Sequence, residues 1–261
     1  MSEPLLVSLQ AYFEPVWPCP PRVRALISTR SGGVSEGFCA SNNLALHVDD
    51  SPDHVAINRA RLSAKISAKP YWLNQVHSTQ VVDVDTLGNT AGGIAVTADA
   101  AFTRAAGRAC VVMTADCLPL LICSQEGDEV AAVHAGWRGL ADGIVTATLS
   151  KFRAKNSDLM VFLGPAIGPQ RFEVGEDVYD AFRAAAITRR YSEPPEQSFV
   201  PATQGKYFAN IYSLASAELR GAGVEQIYGG GFCTYSDSDR FYSFRRDGQT
   251  GRMASLIWLA D

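Results

Sequence analysis

Three short segments each place a side chain of metal-ligand type at the end of an apolar run: Asn74-Gln75-Val76-His77, Thr114-Ala115-Asp116-Cys117 and Ala132-Val133-His134-Ala135-Gly136-Trp137-Arg138-Gly139. Zinc prefers imidazole nitrogen and thiolate sulfur, and a catalytic zinc keeps three protein ligands with a fourth position open to water or substrate. His77, Cys117 and His134 meet that count. The same residues support two other arrangements. The histidines can be ordinary strand-end residues beside a buried thiol, or Cys117 can be a nucleophile with a histidine as its base. No CxxC or HExxH spacing selects among the three.

Other polar residues stand where a ligand could be held. Arg138 lies at a strand-to-helix junction whose small neighbours let backbone N–H groups and a helix N-terminus approach an anion. Arg30, in Ser28-Thr29-Arg30-Ser31-Gly32-Gly33, follows a strand and can offer a guanidinium fork to phosphate or ribose. Asn43 sits in a loop rich in hydrogen-bonding side chains, where it either meets a ligand or closes a turn. Tyr242-Ser243-Phe244-Arg245-Arg246-Asp247 reads instead as a packed strand followed by a salt-bridged turn.

The elements that must position these residues are mainly strands. VRALIST, YWLNQV, QVVDVD, ADAAFT, ACVVMTA, LPLLIC, EVAAVHA, LMVFLG, IYGGGF and ASLIWLA are β-rich and mostly too short for helices. Cys110 and Cys123 flank Cys117 in what reads as a hairpin. Helices are expected from Pro52 to about Ile66, after Ser51 and an early proline, then from Trp137 to Phe152 on an apolar period of three or four. Shorter ones are expected over Glu176 to Ala186 and Ile211 to Leu219. Strands cluster without strict βαβ alternation, which favours an α+β fold with mixed β-sheets over a doubly wound one. No linker or repeat divides the chain, so residues 1–261 read as a single domain.

Composition narrows the function classes. The 261 residues carry 23 basic and 27 acidic side chains, a net charge of −4 with no polybasic run, which argues against nucleic acid or an anionic membrane as partner. No apolar run approaches the roughly 20 residues of a membrane span. The six cysteines lack short paired spacings and read as reduced thiols, with Cys19, Cys39, Cys110, Cys123 and Cys233 dispensable for chemistry. The N-terminus lacks the basic head and apolar core of a signal peptide, so a cytoplasmic location is expected.

In this order, QVHS, MTADCLPLLI, AAVHAGWRGL, GPAIGP with FEVG, and FYSFRRDGQTGRMASLIWL resemble the YfiH-type laccase-domain proteins, from about Thr29 to the C-terminus. That family is also called the polyphenol oxidase or purine nucleoside phosphorylase family, and one bacterial branch edits peptidoglycan. The resemblance implies one domain of α/β/β/α layers, zinc (with copper the alternative metal) on His77, Cys117 and His134, and phosphorolysis of adenosine, inosine and S-methyl-5'-thioadenosine, with adenosine deaminase as a side activity. In that reading Arg30 and Arg138 bind phosphate or the sugar's polar face, and Asn43 orients ribose. Two positions depart from the family pattern: Gln170-Arg171 replace a cysteine pair found in many members, and Asn210 replaces a frequent aspartate.

The family's names describe different reactions. Four histidines without a His-x-His pair cannot supply a multicopper laccase. The H-x-E and P-C-x-x-C signature of familiar zinc deaminases is absent, so a deaminase here must be built differently. A second reading is a hydrolase that removes a misincorporated amino acid from a UDP-sugar peptide of peptidoglycan synthesis, through Cys117 or zinc-bound water. A third is a non-enzymatic metal-buffering or redox protein with Cys117 as a sensor thiol.

Overall fold

The apolar runs form two stacked sheets whose inner strands, among them Leu118–Ser124, Val130–Ala135, Leu159–Leu163 and Met253–Leu259, are buried on both faces, which is why they read as nearly continuous hydrophobic stretches. The structure is a computed structural model and describes residues 10–87 and 95–261, so the first nine residues of the N-terminus read above as leader-free lie outside the described residues. One sheet orders Tyr12–Phe13, Val23–Ser28, Met253–Leu259, Arg108–Thr114 and Lys69–Tyr71. The other orders Gln226–Gly229, Leu159–Leu163, Leu118–Ser124, Val130–Ala135, Ala100–Thr103 and Val81–Asp83. Both sheets mix parallel and antiparallel pairs. Small sheets of three and two strands complete the fold.

Alternation along each strand sorts the core into layers. Ile27, Cys110, Val112 and Ile257 of the first sheet face Leu121, Cys123, Ala132 and Phe162 of the second across a buried inter-sheet core. Leu118, Leu120, Ile122 and Val133 point the other way, against Leu140, Ile144, Phe182 and Leu214 of the helices. Leu26, Val111, Met113 and Leu256 cover the outer face of the first sheet with Leu62 and the 39–48 loop. The expected α/β/β/α layering of one α+β domain is therefore present.

Among the described residues six α-helices flank the sheets: α1 (Pro52–Ser63), α2 (Trp137–Asp142), α3 (Ile144–Leu149), α4 (Glu176–Thr188), α5 (Ile211–Gly221) and α6 (Phe244–Asp247). Two expectations need correction. The single helix from Trp137 to Phe152 is broken, because Gly143 adopts φ 102° and ends α2 with a left-handed residue before α3 begins. The periodicity continues across that break, so spacing alone could not reveal it. The strands around Cys117 are also not a hairpin, since Arg108–Thr114 and Leu118–Ser124 belong to different sheets and residues 115–117 carry the chain between them. No helix among the described residues is long and apolar enough to cross a membrane, and all six cysteines are free.

Gly143 gives a direct test of the break. An added Cβ would lie 3.1 Å from Arg189 Nη1, in a backbone conformation that side chains rarely adopt. Gly143→Ala is expected to cost about 1–3 kcal/mol, read as a lower urea midpoint at unchanged m-value. An unchanged midpoint would show that the two helices are separated by something other than this glycine.

Candidate metal centre and cavity

Cys117 occupies the short crossing between the two sheets, His134 lies next to last in the strand Val130–Ala135, and His77 follows the short strand Leu73–Asn74. These three places are remote in sequence and meet at one end of the sheet stack. Their ligand atoms all lie within 4.8 Å of one another, with His77 Nε2 at 3.7 Å from Cys117 Sγ. Zn–N and Zn–S bonds at the tetrahedral angle place such atoms roughly 3.5 Å apart, so the donor set and spacing suit a metal ion. Gly136 completes the cradle: an added Cβ would lie 2.7 Å from the His77 ring and 3.0 Å from Cys117 Sγ.

Asp99 was not legible as a site residue, yet it organises both histidines. Fully buried, it accepts from His134 Nδ1–H at 2.8 Å and from the His77 N–H at 2.9 Å through one oxygen. Its other oxygen accepts from the Ser78 N–H at 2.6 Å and the Ser78 hydroxyl at 2.8 Å. Its carbonyl accepts the His134 N–H at 2.7 Å. Because an ionised carboxylate only accepts, the proton sits on Nδ1 of His134 and Nε2 is left as the ligand. The same carboxylate holds His77 at φ 61°, in the left-handed region. Its only sequence signal is an acid inside the apolar segment ADAAFT.

Asp116 is held in a similar way. Its φ of 92° is strained for a residue with a side chain, and its carboxylate is clamped by the Thr234 hydroxyl at 2.6 Å and the Arg245 N–H at 2.6 Å. That clamp aims the neighbouring Cys117 at the histidines.

The charges of these groups are coupled. Burial works against the Cys117 thiolate, but the charge of His134 and hydrogen bonds from His134 and His77 outweigh it and bring the pKa down to about 6. Burial likewise disfavours charged His134, and the Cys117 thiolate and Asp99 carboxylate outweigh it, pushing the pKa up to about 9. Desolvation also opposes the Asp99 charge, yet hydrogen bonds from His134 and Ser78 hold that carboxyl well below its usual range. The metal-free site at neutral pH is thus a thiolate–imidazolium pair, and metal binding would displace a proton from His134.

The donors open into a cavity of about 410 Å³, within the range of small-molecule sites. Its apolar walls include Trp137, Ile167, Phe172 and Phe244, and its polar ones Gln75, His47, Arg138, Arg245 and Arg252. Arg138 is therefore placed beside the donors, with its guanidinium 4.3 Å from the Trp137 ring centroid. The segment read as a packed strand and turn instead begins α6 and contributes Phe244 and Arg245, although its Arg246–Asp247 ion pair is present at 2.7 Å.

Two other expected residues are not brought to the cavity. Arg30 donates to the carbonyls of Ala40 and Ser238 and lies over the Tyr242 ring, lining a separate surface depression with Ser31, Ser41 and Asp239. Its loop is pinned there by the Arg30 N–H on the Arg240 carbonyl. Asn43 is completely buried, and its amide is spent on Ala45, Asp50 and the Arg252 backbone, so it has no free edge for ribose. The departures at Gln170 and Asn210 fall in another cavity, lined by no titratable residue, where Asn210 caps α5 by accepting the Ser213 N–H at 3.1 Å. Asparagine serves that role as well as aspartate.

Two measurements check this geometry. Asp99→Asn should weaken metal binding by about 10–100-fold in chelator competition, because the His134 tautomer and the His77 backbone both lose their anchor; a fall in melting temperature without a change in metal affinity would reduce Asp99 to a structural role. In metal-free protein, alkylation of Cys117 should track a thiolate fraction that drops as pH falls through about 6 and stays level above pH 7. A rate climbing steadily between pH 7 and 9 would contradict the ion pair.

Comparisons with known proteins place the chain in a family. Residues 24–260 match the family model described as multi-copper polyphenol oxidoreductase laccase. A purine nucleoside phosphorylase of Pseudomonas aeruginosa is 49% identical over 254 residues, covering 97% of this chain and 100% of that protein. The Escherichia coli purine nucleoside phosphorylase YfiH is 47% identical over 247 residues, covering 94% of this chain and 97% of the relative. The crystal structure of a Neisseria meningitidis protein superposes with a TM-score of 0.90 at 43% identity, covering 97% of this chain and 100% of the other. With nearly its whole length matched by the model, the chain belongs to the laccase-like polyphenol oxidoreductase family that includes YfiH.

Proposed function

We propose that this protein is a zinc-dependent purine nucleoside phosphorylase acting on adenosine, inosine and S-methyl-5'-thioadenosine, with adenosine deamination as a side activity. The observation that carries the reading is the joining, in one cavity, of a His77–Cys117–His134 donor set to aromatic walls and several arginines. The similar proteins that bear the name purine nucleoside phosphorylase support it. A cytoplasmic location fits nucleoside and phosphate as partners.

Phosphorolysis needs a flat apolar slot for the base, cations for phosphate, and stabilisation of charge on the departing base. Trp137, Phe172 and Phe244 supply apolar faces against which a purine can stack. Arg138 and Arg245 are exposed at the wall and draw an anion inward. Bound on His77, Cys117 and His134, zinc would supply a Lewis acid next to the base. Asp99 keeps His134 in the tautomer that ligation requires, and the clamped Asp116 keeps Cys117 on the same side. Copper would find the same donors, but among the described residues His77, Cys117 and His134 form a single such cluster, where a laccase reaction uses several.

One observation favours a hydrolytic second reading. Cys117, His134 and Asp99 stand in the order nucleophile, base and orienting carboxylate, the arrangement of a cysteine hydrolase. There a UDP-sugar peptide of peptidoglycan synthesis would be the substrate and metal would be incidental.

Metal dependence separates the two. Cys117→Ala should lose bound zinc and nucleoside turnover together, chelation of the wild-type protein should abolish phosphorolysis, and added zinc should restore it. Metal-free protein that turned over at the full rate, or cleaved the peptide precursor and no nucleoside, would replace the phosphorylase with the cysteine hydrolase.

A further inference from the structure

Arg252 faces the cavity with half of its guanidinium unused. Its backbone is fixed: the N–H donates to Asn43 Oδ1 at 2.9 Å, and the carbonyl accepts the Leu44 N–H at 3.3 Å. Gly251, just before it, is wedged so that an added Cβ would lie 2.7 Å from the Tyr242 ring. Nη1 donates to the carbonyls of Thr250 at 2.7 Å and Gly251 at 3.1 Å. Nε and Nη2 have no hydrogen-bond partner among the described residues, and no carboxylate there lies within ion-pair distance. By contrast, the partly buried Arg104 and Arg189 each meet a buried glutamate, Glu129 and Glu218.

No anionic side chain pairs with the Nε–Nη2 edge directly, and the Cys117 thiolate acts on Arg252 only through space. Asp116, the acidic residue in the cavity wall, is spent on Thr234 and the Arg245 N–H. Burial pulls the Arg252 pKa down, against the opposing charges of Cys117 and Asp116. A pre-positioned, partly buried fork with no side chain paired to it is suited to donate to two oxygens of an anion.

We propose that the Nε–Nη2 edge of Arg252 is the oxyanion subsite of this cavity and holds inorganic phosphate. The role of that phosphate as a reactant rests on the phosphorolysis reading; its binding does not. In the reaction, a phosphate oxygen forms a bond to the anomeric carbon as the glycosidic C–N bond breaks. The electron pair leaves with the base nitrogen, which takes up the proton given up by dihydrogen phosphate. Arg252 orients the attacking oxyanion, a task for which Arg30, lining a separate depression, is not positioned.

The test uses zinc-loaded protein carrying Arg252→Gln or Arg252→Lys, checked for fold by circular dichroism and for unchanged zinc content. The phosphate KM should rise at least about tenfold in Arg252→Gln while the nucleoside KM stays within about twofold, and Arg252→Lys should fall between because it keeps charge but loses the fork. Calorimetric titration with phosphate, without turnover, should show the same loss. If wild-type protein binds phosphate through Arg252 but cleaves no nucleoside, the phosphorylase reading fails and the subsite stands. If both folded variants retain the wild-type phosphate KM and affinity, the subsite is overturned. A parallel titration with uridine diphosphate distinguishes the anion's source: tighter Arg252-dependent binding of the diphosphate than of phosphate would overturn free phosphate as the occupant.

Discussion

The candidate site is organised around a single buried carboxylate, Asp99. Five hydrogen bonds from His77, His134 and Ser78, four to the carboxylate and one to the carbonyl, converge on that residue. An ionised carboxylate without solvent is tolerated only when its lone pairs are met by donors, and here the donors are the groups that must be aimed. The electrostatic cost of burying Asp99 is thus offset by the same contacts that set the His134 tautomer and the left-handed His77 backbone.

The layered fold explains why those groups can meet. Two stacked sheets whose inner strands are buried on both faces leave little tolerance for polar groups inside, so polar chemistry is pushed to the strand ends. The chain crosses between the sheets at residues 115–117, and strain at Asp116 is held there by Thr234 and Arg245 from the C-terminal part of the chain. Contacts so distant in sequence tie the geometry of Cys117 to completion of the whole domain.

The electrostatics of the cavity run against those of the protein. A chain of net charge −4 concentrates Arg138, Arg245 and Arg252 around one opening, while the carboxylates nearby are engaged in holding backbone or His134. The result is a local field suited to an anion beside a soft metal-donor set, without the basic surface that nucleic acid would require.

Much of this was legible from residue types in order. The strand runs, the α+β class and layers, and His77, Cys117 and His134 as a candidate donor set follow from periodicity, donor chemistry and family resemblance, since these are properties of local segments and of motifs retained in order. The break at Gly143, the sheet-to-sheet crossing at Cys117, the displacement of Arg30, and the structural use of Asn43 were not legible. Each depends on which distant carbonyl or side chain a group meets, and the same local pattern serves either outcome. Asp99 and Arg252 show the reason most plainly: a lone acid in an apolar strand and an arginine after a glycine look ordinary in sequence. Only tertiary packing gives the acid its ring of donors and leaves the arginine facing a cavity with no carboxylate paired to it.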